Sequence, residues 1–265
     1  MPDAVLARNE GPVRVITLNR PEKLNALNRE MVEALSSHLA EAAADDATRV
    51  VILGGEGRSF CSGYDLAEEA DPSRSPAESL AHSLDRMLEI FDHPKPVIAQ
   101  VQGHCLAGGC DLMMMCDLAV ASEDAMFGQP EIRFGSAVVA YVMPWLIGAR
   151  RAKELLFTGE DRVTADEAIQ IGLVNRLVPR ERLEEETMAL AVSLSVVDPG
   201  AMQLTKRAVN QSWERAGFRE ALMAGVALGG IIESERVPER EEFERIVAEQ
   251  GLPEAVRWRD GRFAR

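Results

Sequence analysis

Two carboxylates and two glycine-marked bends are the features of this chain that could do chemistry. Gly103, Gly108 and Gly109 interrupt the apolar stretch that begins at Pro96, and Asp111 follows Gly108 at a spacing that puts it on the same helix face. Glu131 lies further on in FGQPEI, where Gly128 and Pro130 predict a loop able to turn its carboxylate back toward Asp111. The first amides of a helix lack partners and the helix dipole favours negative charge, so an oxyanion would be at home beside Gly108. Glycine at 108 and 109 also lets a ligand approach the backbone without meeting a β-carbon. A second bend, in RSFCSGYDL from Arg58 to Leu66, presents the amide of Tyr64. Two donors aimed at one carbonyl oxygen stabilise an enolate or a tetrahedral oxyanion.

The elements that must hold these residues are readable from apolar periodicity. Pro96 to Val101 suits a buried strand, and CDLMMMCDLA after the glycines suits a helix. VRVITL at 13 to 18 and VVIL at 50 to 53 are further strands. Asn28 caps a helix whose Met31, Leu35 and Leu39 form one buried stripe. Glu68 to Ala81 is polar and carries two prolines; it predicts a mobile segment, either a cover for the site or a plain surface loop, ending at a helix start near Ser79. TADEAIQIGL has Thr164 as cap, Glu167 as its capping-box partner and Gly172 as terminator. Beyond Arg182 the pattern is helical, broken at Asp198-Pro199-Gly200. No internal repeat is visible.

Composition narrows the classes. A chain of 265 residues can bury a substantial core. A formal charge of −14 argues against a nucleic-acid partner but leaves room for an anionic ligand held by local cations. No apolar stretch reaches membrane-spanning length, and Met1 to Glu10 lacks the pattern of a signal peptide, so a soluble cytoplasmic protein without membrane partners is expected. The four cysteines, Cys61, Cys105, Cys110 and Cys116, lack paired zinc-site spacing and read as small buried residues, with a reactive thiol at Cys61 or Cys110 as the alternative. No metal site is expected.

RPEKLNALN at 20 to 28, GRSFCSGYDL at 57 to 66, VQGHCLAGGCDLMMMCDLAVAS at 101 to 122 and FGQPEI at 127 to 132 together resemble the successive signatures of the crotonase superfamily, whose best-known branch is the enoyl-CoA hydratases and isomerases. LLFTGEDRVTADEAIQIGLVNRLVP at 155 to 179 matches the later part of that pattern. The resemblance implies an α/β fold, a spiral of ββα units over residues 1–197, followed by a helical region at 198–265 that assembles homotrimers or homohexamers. It also implies an acyl-CoA substrate with no separate cofactor, coenzyme A being part of the substrate. The thioester oxygen would sit between the amides of Tyr64 and Gly108, with Asp111 and Glu131 as the catalytic acids. Lys23, Ala26, Ser62, Asp65, Leu66, Gly109 and Pro130 would line the substrate site.

The chain departs from that pattern in two places. Position 111 is usually glutamate in the hydratases; aspartate withdraws its oxygens by about 1.5 Å, a shift that can cost about a hundredfold in rate unless the backbone or substrate compensates. After Glu131 the family's glycine-rich stretch is replaced by IRFGSAVVAYVMPWLIG, so Val138, Val139, Tyr141 and Trp145 become candidates for the acyl pocket wall or for helix core. Asp111 is also the residue type of the dienoyl-CoA isomerases, but these carry a further aspartate where this chain has Val139. The expected activity is hydration of a 2-enoyl-CoA to a 3-hydroxyacyl-CoA through a stabilised enolate. Enoyl-CoA isomerisation, CoA-thioester hydrolysis and noncatalytic acyl-CoA binding are the alternatives. Serine hydrolase and dinucleotide enzymes are disfavoured by the lack of G-x-S-x-G and G-x-G-x-x-G. Lys206 and Arg207 read as a solvated face, with contact to CoA phosphates as the alternative.

Overall fold

The computed structural model describes residues 3–68, 71–235 and 237–263. The chain opens with an antiparallel hairpin, β1 (Val5–Glu10) and β2 (Val13–Leu18), and a 3-10 turn, Pro21–Lys23, then leads to α1 (Arg29–Ala44). Next come β3 (Val50–Gly55) and α2 (Pro76–Phe91), followed by β4 (Val97–Val101), the short β5 (His104–Leu106) and α3 (Gly108–Met115). The following coil runs through β6 (Leu118–Ser122), β7 (Met126–Gly128) and a 3-10 turn at Glu131–Phe134 to α4 (Met143–Ile147) and α5 (Ala149–Thr158). A last small unit holds β8 (Val163–Thr164), α6 (Ala165–Gln170) and β9 (Arg176–Val178). Helices α7 (Leu183–Ser195), α8 (Pro199–Arg215), α9 (Phe218–Ser234), α10 (Pro238–Gln250) and α11 (Leu252–Gly261) complete the chain.

The main sheet has the order β1-β2-β3-β4-β6-β9, parallel throughout except at β1. Its central strands are apolar on both faces because both are covered. Ile16, Leu18, Val51, Leu53, Val97 and Ala99 point to the large core shared with α1, α2 and α3, while Val13, Val15, Val50, Ile52, Ile98 and Val120 point to Leu183, Leu190 and Ala191 of α7. A second sheet joins β5 in parallel to β7 and β7 antiparallel to β8. Single parallel bridges, Cys61 to Cys105 and Leu27 to Tyr64, extend that stack outward. Each coil therefore places one strand in the large sheet, a shorter segment in the small stack, and then a helix. The bends between short segment and helix line up above one another.

Several expected boundaries shift. α3 stops at Met115 rather than running on through CDLA, because Cys116 turns extended and Leu118 enters the sheet beside Ile98. All eight α3 residues are buried, so its apolar run marks a helix enclosed on every side rather than a longer amphipathic one. α2 begins at Pro76, not near Ser79, since Ser75 and Glu78 form a reciprocal capping box that outcompetes later starts. Part of the polar segment before it, residues 69–70, lies outside the described residues. Thr164 does cap α6, but the Glu167 carboxylate pairs with Arg151 instead of returning to the cap. Trp145 joins Trp213, Phe218 and Phe91 in an aromatic cluster. Lys206 is neither a solvated cation nor free for phosphate: its side chain is 8% exposed, and its ammonium pairs with Asp117 at 2.7 Å and donates to the Lys95 carbonyl. No single helix among the described residues is long and apolar enough to cross a membrane.

The C-terminal helices are tied to the rest in two ways. Phe218, Leu222 and Val226 of α9 enter the large core. α10 and α11 form their own small cluster, Phe243, Ile246 and Ala255, closed by Phe134 at the end of the Glu131 turn; the Phe134 and Phe243 rings stand 5.0 Å apart.

Candidate active site

The two bends come together. A β-carbon on Gly63 would fall 3.4 Å from the amide nitrogen of Gly108, and one on Gly108 would fall 2.6 Å from Cε2 of Tyr64, so the backbones of 63–64 and 107–108 are in contact. Leu27 bonds the Gly63 carbonyl and the Asp65 amide, which turns the intervening Tyr64 amide away from Leu27. Among the described residues neither the Tyr64 nor the Gly108 amide has an acceptor. The Gly108 amide is one of the orphan donors at the α3 start, where the first helical bond runs from the Asp111 amide to the Ala107 carbonyl.

Ala107 sets that direction at a cost. Its φ of 52° and ψ of −130° lie in a region that L residues avoid, and such a residue costs on the order of 1–3 kcal/mol. The Ala107 amide bonds the Gly128 carbonyl at 2.8 Å, which fixes the strained peptide against β7. Gly109 is required by proximity, since a β-carbon there would come within 2.4 Å of the Cys61 carbonyl.

Asp111, on the first turn of the helix that Gly108 begins, and Glu131, close enough to feel its charge, are both buried, at 0% and 6% exposure. Asp111 Oδ1 accepts from Gln129 Nε2 at 2.7 Å and Oδ2 from the Ala140 amide at 3.3 Å. Burial pushes its pKa up to about 7 despite these donors. Glu131 opens the 3-10 turn after the buried Pro130, and its Oε2 has no partner. Burial, and then the neighbouring Asp111 charge, hold its carboxyl well above the ordinary range, with Arg259 of α11 opposing them. Burial of both carboxyls, and the Asp111 charge acting on Glu131, favour one proton held by the pair over two ionised groups.

The remaining predicted positions frame this centre. Leu24 and Asn25 take left-handed backbone, which folds the Lys23 to Ala26 turn onto the second bend. Ser62 donates its amide to the Leu24 carbonyl, and Arg20 bridges the Ala26 carbonyl and the Asp65 carboxylate. Burial opposes charge on Asp65, but Arg20 and the Ala67 amide outweigh it and lower its pKa, so this carboxylate acts as a brace. Lys23 and Leu66 are exposed at the rim. Cys61 is no activated nucleophile, since burial pushes its thiol up to about 12.

The enoyl-CoA hydratase/isomerase family model matches residues 8–228. The chain belongs to the enoyl-CoA hydratase/isomerase family. It is 36% identical over 217 residues to the short-chain-enoyl-CoA hydratase of Clostridium acetobutylicum, covering 79% of this chain and 82% of that relative. It is 35% identical to the crotonyl-CoA hydratase of Syntrophomonas wolfei, again covering 79% of this chain and 82% of the relative. Among solved structures it matches an enoyl-CoA hydratase/isomerase from Xanthobacter autotrophicus Py2 with a TM-score of 0.95 and 38% identity over 99% of each chain. The fold is that of the crotonase superfamily.

In this member of the enoyl-CoA hydratase/isomerase family, sequence reasoning missed Gln129 and the Ala140 amide, both of which hold Asp111. Gln129 left one signal: a polar, uncharged residue between Gly128 and Pro130, two positions before Glu131. Ala107 left none, because alanine does not announce a positive φ.

Proposed function

We propose that this protein adds water reversibly across the double bond of a 2-enoyl-CoA thioester, giving the 3-hydroxyacyl-CoA. Family membership and relatives named as hydratases support enoyl-CoA hydration as the reaction. The observation that carries our assignment of residues is the convergence of two unpaired amides, with Asp111 on the helix that one of them begins and the buried, differently hydrogen-bonded Glu131 within reach of its charge. The thioester oxygen accepts from the Tyr64 and Gly108 amides, which stabilise the developing enolate; removing one such donor typically costs about 3 kcal/mol of barrier. Asp111, with donors on both oxygens, is the acid better kept ionised and takes a proton from water. The hydroxide equivalent adds to the β-carbon. Glu131, whose free oxygen can carry the shared proton, delivers it to the α-carbon, and the pair ends with the same single proton.

Expected rates follow from these roles. Asp111→Ala and Glu131→Ala should each lower kcat for crotonyl-CoA hydration by about a hundredfold or more. Product analysis separates the readings: hydroxyacyl-CoA supports hydration, a shifted double bond an isomerase, free CoA a hydrolase. Full activity in either variant would remove its acid from the mechanism.

We also propose that the active form is a homotrimer or homohexamer in the cytoplasm. The outward face of α9 supports assembly, because Met223, Leu228, Ile231 and Ile232 are exposed and the run from Ala221 to Ile232 contains no charge. Thiols without disulfide partners fit a reducing compartment.

A further inference from the structure

The coil that follows the Glu131 turn, residues 135–142, is neither helix nor strand, yet Ala137, Val138, Val139 and Ala140 are all buried. Peptide groups in such a coil are shut off from water and must be held by other parts of the protein. Two of its amides go to carboxylates: Ala140 to Asp111 on α3 at 3.3 Å, and Ala137, three residues earlier, to Glu233 on α9 at 2.8 Å. The same oxygen, Glu233 Oε1, accepts from the Ser136 hydroxyl at 2.5 Å, while the Ser136 amide bonds the Glu131 carbonyl at 3.0 Å. One carboxylate oxygen therefore grips the chain midway between the acid at one end and the amide that holds the other acid.

Helix formation does not explain Glu233. It stands in the last turn of α9, at the negative end of the helix dipole, where a carboxylate is disfavoured. Its side chain is 12% exposed, and Arg240 of α10 pairs with the second oxygen, which fixes the carboxylate and offsets its charge. Val237, just ahead of α10, closes on the same coil, since a β-carbon on Gly135 would lie 2.5 Å from Val237 Cγ2. Glu131 feels the Glu233 charge as well, after burial and the Asp111 charge, so the two side chains are near each other.

We propose that Glu233 is a positioning residue for the hydration: its grip on Ser136 and Ala137 keeps the Ala140 amide on Asp111, and so keeps the oxygens of that acid in place. The inference rests on the hydratase reading above and adds to it a residue that acts through the backbone. Asp111 has a single carbon between its backbone and its carboxylate, so it cannot follow a donor that moves. A misplacement of about 1 Å can cost about a hundredfold in rate even when the altered residue lies away from the chemistry.

The test compares kcat and KM for crotonyl-CoA hydration in the wild type, Glu233→Ala and Glu233→Gln, together with hydrogen–deuterium exchange of the peptide spanning 135–142, read by mass spectrometry. Glu233→Ala should lower kcat by about tenfold or more, leave KM within about threefold, and speed exchange in that peptide while β3 and β4 stay protected. Glu233→Gln keeps an oxygen for Ser136 and Ala137 but no charge, and should retain kcat within about threefold. An equal loss of kcat in both variants would make the effect one of charge on Glu131 and overturn the proposal. Unchanged kcat or unchanged exchange in Glu233→Ala would overturn it too. If the wild type hydrates no enoyl thioester, the hydratase reading fails, and the exchange comparison still decides whether Glu233 holds the coil. Should Glu233→Ala not fold, Glu233→Asp, one carbon shorter and still charged, carries the same decision.

Discussion

With both Asp111 oxygens accepting and one Glu131 oxygen free, the two acids are chemically unlike although both are buried. Their raised pKa values have a consequence for stability. Between the ordinary aspartate value of 3.8 and about 7, folded Asp111 keeps a proton that the unfolded chain has released. Stability is therefore fully present below that window and is lost as pH rises through it, at up to about 1.4 kcal/mol per pH unit. Glu131 acts in the same direction. We predict that urea midpoints of the wild type fall from pH 4 to pH 8, and that Asp111→Asn flattens part of this slope; an equal slope in the variant would contradict the Asp111 shift. The acids and the two bends were legible in the sequence because glycine turns and helix spacing are local properties. Their restraints were not. Gln129 reaches Asp111 across a turn, the Ala140 amide arrives from a segment without regular structure, and Ala107 is forced left-handed by its bond to Gly128 rather than by any preference of its own.

Helix α11 reaches further into the site than its distance along the chain suggests. Arg259 pairs with Asp161 at 2.9 Å, and Asp161 also takes Arg133 at 3.3 Å, all three side chains largely buried. The neighbouring Glu160 carbonyl accepts the Gln129 amide, and a β-carbon on Gly128 would strike both Glu160 and Asp161. The turn at 158–161 thus clasps the Gln129–Glu131 segment, and Arg259 locks the clasp from outside. Arg259→Met should destabilise the fold by about 3 kcal/mol, the low end for breaking a buried pair because Arg133 remains on Asp161. Urea denaturation measures this; a change below 1 kcal/mol, the range of a surface pair, would show the pair to be solvated. β2 and the start of α1 could be read to the residue, because apolar periodicity and the Asn28 cap are plain there, whereas β1 went unread because its VLARNE is mostly exposed and shows no apolar alternation. α3 could not: a helix buried all round has no polar face to mark where it stops.

The repeat of strand, short segment and helix is plain in space and absent from the sequence. Its short members shrink to the single pairs Cys61–Cys105 and Leu27–Tyr64, too brief to leave a period in the residues. The uncharged outer face of α9 belongs to this scale as well. Ile231→Glu should convert a trimer or hexamer into smaller species in sedimentation velocity, whereas a wild-type monomer would remove the assembly proposal. The stacking of coils carries one more implication. The two free N–H groups at positions 64 and 108 belong to peptide linkages, so no point mutation except one to proline can erase either of them. Side chains near these amides are open to replacement over generations, while the pair we propose to polarise the thioester would be inherited with the winding of the polymer itself. On that proposal, a lineage built this way would trade one reaction for another without first inventing a new way to hold a carbonyl.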